Sequence, residues 1–245
     1  MSWFPRPDPS AEHRLFCLPH GGGGASVYRT WRRDLAPVID VVPAQLPGRE
    51  TRYAEPAMTS VDALVTAMID PLLAGTPASF ALFGHSMGAL LAYEVAAAAV
   101  ARGRPPVRLF VSGHHPPHLP SPTSELHGLA DEDFIAALLS FGGISDELME
   151  DLDMVAYLLP IFRADFAVCE SYRHPRRRPL PVPVPITVLA GRADPAVDVA
   201  QLPRWAELTT AETTVRLFEG GHFYHLGEES DPVLKTIVTD LTATS

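Results

Sequence analysis

Short apolar runs of strand length alternate along the chain with segments whose apolar residues recur every three or four positions. The strand-like runs fall at 14–18, 40–43, 79–83, 108–112, 186–190 and 213–218. Segments with helical spacing lie between most of them, at 27–35, 61–73, 89–101, 199–208 and 232–241. A strand that is apolar on both faces has to be covered on both faces, and helices alternating with strands supply that cover. The pattern predicts an α/β architecture with a doubly wound, mostly parallel sheet.

One interval breaks the alternation. Residues 116–185 show helical periodicity without a convincing strand, and 126–141, 146–152 and 154–172 read as amphipathic helices. Pro116-Pro117-His118-Leu119-Pro120 and the proline-rich stretch 175–185 bound the interval. It comes after the strand that succeeds the Ala-rich helix at 89–101, and loops at strand C-termini border the site in open α/β sheets. A helical lid over residues 116–185 is expected, inserted into a core made of 1–115 and 186–245; the alternative is a helical subdomain that only supports the core.

Composition narrows the classes. The 245 residues are 47% apolar and 20% charged, enough for one large α/β domain. A formal charge of −10 argues against a nucleic-acid partner, because phosphate binding needs a basic surface. The two cysteines, Cys17 in an expected strand and Cys169 in an expected helix, do not make a disulfide framework and suit a reducing compartment. The opening residues are broken by prolines and hold no continuous apolar core of a signal peptide, and no apolar run reaches the ~18 residues of a membrane span. A cytoplasmic protein is expected, with no membrane partner.

The chemistry begins at Gly84-His85-Ser86-Met87-Gly88, a G-x-S-x-G turn with an apolar strand before it and an Ala-rich helix after it. A bare G-x-S-x-G is short enough to occur by chance, so its setting carries the weight. In a nucleophile elbow the turn is so tight that the flanking glycines must lack side chains, while the serine hydroxyl stands exposed at the helix N-terminus. Ser86 is the expected nucleophile.

A serine hydroxyl needs a base within reach and a carboxylate to orient that base. Among ten histidines, His222 is best placed, because Glu219-Gly220-Gly221-His222 comes just after the last apolar strand and two glycines let a loop carry the imidazole over the sheet edge. His225 is its rival. Asp194, at the end of the strand 186–190, is the expected orienting carboxylate; Asp198 suits a helix N-cap. Two donors are needed for the oxyanion of acyl transfer. Met87 N–H and Gly21 N–H are the choices, the latter from the loop Pro19-His20-Gly21-Gly22-Gly23-Gly24. That loop could also be a plain flexible turn, whereas a P-loop would require a Gly-Lys-Ser/Thr that is not there.

Two other clusters stand out. His114, His115 and His118 could suggest a metal, yet no spaced carboxylate or cysteine joins them, and a proline-flanked loop explains them; no metal and no cofactor is expected. The basic stretch Arg173 to Arg178 could steer an anionic partner or simply be solvated.

With these residues in place, the chain resembles the type II, discrete editing thioesterases of polyketide and nonribosomal peptide synthesis, within the α/β-hydrolase fold. The likeness rests on Leu18-Pro19-His20-Gly21-Gly22 with Tyr28 and Trp31, Leu46-Pro47-Gly48-Arg49-Glu50, Phe83-Gly84-His85-Ser86-Met87-Gly88, Leu159-Pro160 with Arg163-Ala164-Asp165, and Gly220-Gly221-His222-Phe223. It departs from the family at Gly21, often alanine there, and in the histidine-rich Ser112-Gly113-His114-His115. The resemblance implies hydrolysis of an acyl thioester carried on the phosphopantetheine arm of an acyl or peptidyl carrier protein, through an acyl-serine; a monomer is expected. A carboxylesterase or lipase, an acyltransferase and a non-catalytic carrier-protein binding module are the alternatives.

Overall fold

The computed structural model describes residues 2–5, 8, 11–74, 79–120, 125–140, 142, 149–172 and 181–243. Six strands form one parallel sheet: β1 (His13–Leu18), β2 (Ile39–Pro43), β3 (Ala81–His85), β4 (Arg108–Ser112), β5 (Ile186–Gly191) and β6 (Thr213–Phe218). Their spatial order is β2-β1-β3-β4-β5-β6, with every named pairing parallel. The six runs expected from apolar patterning are all strands. Only β3 is displaced, running on to His85, because His85 pairs with Ser112 of β4 rather than leaving the sheet at Phe83.

The helices are α1 (Arg29–Asp34), α2 (Val61–Ala74), α3 (Met87–Ala101), α4 (Asp131–Ser140), α5 (Leu152–Ser171) and α6 (Asp231–Thr242). Alternation along each strand divides the core. In β1, Phe16 and Leu18 point into a cluster built with Leu64, Met68, Leu90 and Leu91 of α2 and α3. Leu15 and Cys17 point the other way, toward Trp31, Val233 and Ile237 of α1 and α6. Period-two side chains packed on both faces are what the continuous apolar runs required.

Two helices differ from expectation in kind. Val199–Leu208 is a 3-10 helix, with Pro203 inside it and Asp198 as its cap. The segment at 27–35 divides into a 3-10 turn, Ala25–Tyr28, and then α1.

Between β4 and β5 the described residues hold α4, α5 and an isolated bridge from Val182 to Thr209. The helix expected at 126–141 begins only at Asp131, where Asp131, Glu132 and Asp133 place negative charge at the helix N-terminus. Leu126 and His127 before it give their N–H groups to Glu170 Oε1 of α5. Of the helix expected at 146–152, residues 146–148 lie outside the described residues, and its expected end is broken at Glu150 and Asp151, where the next helix is capped. α5 begins at Leu152, with Asp151 Oδ1 accepting from Met154 N–H as its cap. Leu126, Phe134, Leu138, Leu159 and Phe162 form a small core of their own. The far end of α5 joins the main core through Val168, and Tyr172 just beyond it donates to Glu94 on α3. No helix among the described residues is long and apolar enough to cross a membrane.

Candidate active site

The strand order reverses between β1 and β3. The chain leaves β1 for one edge of the sheet and then returns to build the other side. Loops leaving the carboxyl ends of two such strands diverge and leave a crevice. The glycine loop after β1 and the turn after β3 meet at this point.

Ser86 joins β3 to α3 with φ 54° and ψ −120°, a left-handed conformation rare for a residue with a side chain. Neighbours enforce the turn. A Cβ on Gly84 would lie 1.9 Å from Gly88 O, and one on Gly88 would lie 2.2 Å from Leu18 O. Serine at a helix N-cap ordinarily turns its oxygen onto the first-turn N–H groups. Ser86 makes no such cap bond, so its hydroxyl is not spent on the helix. Its own N–H donates to Ser112 O at 2.8 Å, tying the elbow to β4.

His222 and Asp194 come together from adjacent strand ends. His222 Nδ1 donates to Asp194 Oδ2 at 2.8 Å, with the side chains only 9% and 0% exposed. Asp194 Oδ1 accepts from Ala196 N–H at 2.9 Å, which fixes the carboxylate plane. The two loops are stitched by Arg192 N–H to Phe218 O and Ala193 N–H to Gly220 O. Gly191 permits this approach, for a Cβ there would lie 2.3 Å from Gly221 O. Ser86 lies in the same neighbourhood without a hydrogen bond to His222: the ring of His85, the residue before it, is 4.7 Å from the His222 ring.

The rivals for these positions are occupied elsewhere. His225 is buried with its ring 3.8 Å from the His85 ring, neither ring nitrogen has a hydrogen-bond partner among the described residues, and Trp31 Nε1 donates to its backbone carbonyl. Asp198 accepts from Ala200 N–H and Gln201 Nε2, as an N-cap does.

A second polar chain runs beneath the site. His85 Nδ1 is 2.8 Å from Ser112 Oγ, which is 2.6 Å from the Tyr224 hydroxyl. Burial drives the imidazole pKa values of His85, His225 and His20 down, with neighbouring histidines adding to the effect. His114 falls to about 3 and His115 to about 4 for the same first cause. A charge on the nearby His222 ring adds to the lowering at His20, His85, His114 and His225. His114 and His115 stack at 4.4 Å, and His118 pairs with Glu207. The basic residues Arg176 to Arg178 lie outside the described residues.

Peptide groups on both sides of Gly21 are engaged. His20 Nδ1 donates to Gly21 O at 2.8 Å, Gly22 N–H donates to Asp165 Oδ2 at 2.6 Å, and Gly23 N–H donates to His20 O. Gly21 N–H has no acceptor among the described residues. Met87 N–H, first in α3, belongs to the helix-end donors that no intrahelical carbonyl reaches.

Arg49 and Asp165 belong to the sequence motifs, but their role emerges only from the fold. Arg49 Nη1 and Nη2 donate to the two oxygens of Asp165 at 2.6 and 2.7 Å, and Nη1 also donates to Gly23 O at 3.0 Å. The only clue in the sequence is that Arg49 and Asp165 each stand within one of the motifs at 46–50 and 159–165. Nothing local in the sequence could pair them.

A family model described as a thioesterase domain matches residues 13–241. Linear gramicidin dehydrogenase LgrE of Brevibacillus parabrevis is 36% identical over 97% of this chain and 90% of its own length. Among solved structures, the type II thioesterase BorB from the borrelidin biosynthetic cluster superposes with a TM-score of 0.88 at 35% identity, covering 97% of this chain and 96% of that one. YbtT, a type II thioesterase from the yersiniabactin NRPS/PKS pathway, gives 0.87 at 29% identity over 99% of both chains.

Proposed function

Because the chain belongs to the thioesterase family, we propose that it hydrolyses acyl thioesters carried on the phosphopantetheine arm of carrier proteins, as an editing enzyme of polyketide or nonribosomal peptide synthesis. The yersiniabactin pathway of YbtT and the borrelidin cluster of BorB support the substrate class. The observation that carries the reading is the His222–Asp194 hydrogen bond beside the Ser86 elbow.

With Nδ1–H committed to Asp194, the lone pair on His222 lies at Nε2. There it takes the Ser86 proton as Oγ adds to the thioester carbonyl. Asp194 stabilises the imidazolium, and the N–H groups of Met87 and Gly21 hold the oxyanion, each such donor being worth ~3 kcal/mol. Collapse breaks the C–S bond, and the leaving sulfur receives the proton from His222. Water then attacks the acyl-serine, giving its proton to His222, and release of the acid returns the proton to Ser86 Oγ. No cofactor enters this cycle. All five groups belong to one chain, so a monomer suffices, and a reducing cytoplasm suits the free thiols of Cys17 and Cys169. The helices between β4 and β5 would close over the acyl chain as a lid and limit solvent.

The name of LgrE raises a dehydrogenase reading. A dinucleotide loop beginning at Gly21 would need a glycine or alanine at position 26, where Ser26 stands. Asp165 also places a carboxylate on the Gly22 N–H, at the spot a pyrophosphate would claim.

One acyl group loaded on carrier protein, on coenzyme A and on a simple alcohol tests the reading. We expect fastest turnover on the carrier protein and a loss of roughly 10³-fold or more in Ser86→Ala. A variant within tenfold of wild type, or a preference for the oxygen ester, overturns it. An acyl product on an added alcohol or amine would instead mark an acyltransferase.

A further inference from the structure

The bidentate Arg49–Asp165 pair is almost wholly enclosed, with side chains 5% and 1% exposed. Taking two charges out of water is costly, and an apolar pair of similar volume often serves stability as well. This pair does something an apolar pair could not. Asp165 holds the Gly22 N–H, and Arg49 holds the Gly23 carbonyl. The loop is thus gripped through one donor and one acceptor of adjacent residues. Phe162, one helical turn before Asp165 on α5, completes the grip. A Cβ on Gly22, which has φ +79°, would lie 2.1 Å from its ring.

Four successive glycines form the most freely moving segment a chain can build. Gly21 N–H can serve an oxyanion only if the peptide plane before it holds one orientation. We propose that Asp165, clamped by Arg49, is a positioning residue for acyl transfer: it fixes the glycine loop so that Gly21 N–H faces the developing oxyanion. Since Asp165 and Phe162 both lie on α5, this helix orders the acyl-transfer site as well as bordering it. The inference rests on the reading of Gly21 N–H as an oxyanion donor.

The test uses the full chain, a carrier-protein thioester, and a trifluoromethyl ketone analogue of acyl-pantetheine. That ketone adds Ser86 Oγ and leaves an oxyanion in place of the thioester carbonyl oxygen. A non-reactive amide analogue measures ground-state binding. Asp165→Asn preserves shape and an acceptor oxygen but removes the charge. It is expected to lower kcat about 10- to 100-fold, the scale of a small misplacement of reacting groups. KM and amide binding should stay within about twofold, and ketone affinity should fall by the same factor as kcat. Arg49→Lys keeps the charge and loses the fork, so a smaller loss in the same direction is expected, and it serves if Asp165→Asn does not fold. Unchanged kcat and ketone affinity per folded molecule in either variant, whatever the change in Tm, would overturn the proposal. Replacing the Gly21 N–H by an ester oxygen separates the two ideas. If that change leaves ketone affinity intact, Gly21 is not a donor and the underlying reading fails; if it weakens the ketone and Asp165→Asn does not, the clamp alone fails.

Discussion

Single residues at this site are held by contacts that leave little room for substitution. Gly84 and Gly88 face backbone atoms rather than flexible side chains, so neither can gain a methyl group without moving β3 or α3. Gly84→Ala is expected to yield little folded protein, checked by soluble yield and Tm against Gly103→Ala, where a Cβ would meet nothing but φ is +69°. Asp194 has one oxygen on the His222 ring and the other on the Ala196 N–H. Asp194→Asn would keep the shape but can present its N–H₂ to the ring, favouring the wrong tautomer. A fall in kcat of about 10⁴ with Tm within a few degrees of wild type is the expected result. A loss below tenfold would remove Asp194 from the relay.

At the scale of elements, α5 has two different halves. Its start is exposed at Leu152, Met154 and Tyr157, whereas Phe162, Asp165 and Val168 pack against the glycine loop or the core. Pro160 stands between them, and proline removes the hydrogen bond to the carbonyl four residues back. If residues 116–185 act as a lid, the moving part therefore lies ahead of Pro160, because the Arg49–Asp165 pair ties down the half of the helix beyond it. α4 shares the small cluster around Phe134, whose ring packs edge-on against Phe166 and carries the Arg163 guanidinium at 4.6 Å. Phe134→Ala should cost about 3–5 kcal/mol of local stability. Hydrogen exchange is the measurement: faster exchange in residues 131–140, with β1, β3 and β4 unchanged, fits an insertion that opens by itself. Equal loosening of the sheet would show that α4 and the core unfold together.

For the whole molecule, the buried imidazoles tie folding to pH. His20, His85, His114, His115 and His225 all have pKa values pushed below the ordinary 6.5, first by burial. The unfolded chain therefore binds more protons than the folded one below that value, and stability rises with pH. This contribution is complete above pH 6.5 and is lost as pH falls toward the folded values of about 3 and 4 at His114 and His115. Each group adds up to ~1.4 kcal/mol per pH unit within its window. Tm should hold steady above pH 7 and drop steeply between pH 6.5 and 5; a flat profile down to pH 5 would contradict it. Both ring nitrogens of His225 lack a partner among the described residues. His225→Phe should raise Tm at pH 5.5 and flatten the slope, since it removes a proton acceptor and two unpaired polar atoms.

The linear order of residues was enough to determine the parallel sheet, the elbow and the chemical types at its edge. These signals are local: six apolar runs, two glycines around a serine, and a histidine and an aspartate just past strand ends. The helix start within 126–141 and the 3-10 form of Val199–Leu208 were less legible, because acidic residues at 131–133 set the first and apolar spacing does not separate 3-10 from α in the second. Tertiary structure alone decided that His225 lies against His85 rather than meeting a carboxylate, and that Arg49 meets Asp165 across the chain. The physical reason is that a buried charge or ring pairs only with what folding brings within contact reach, which left both ring nitrogens of His225 without a partner among the described residues. That reach is set by how the strands are ordered and how α5 lies on the glycine loop, not by distance along the chain.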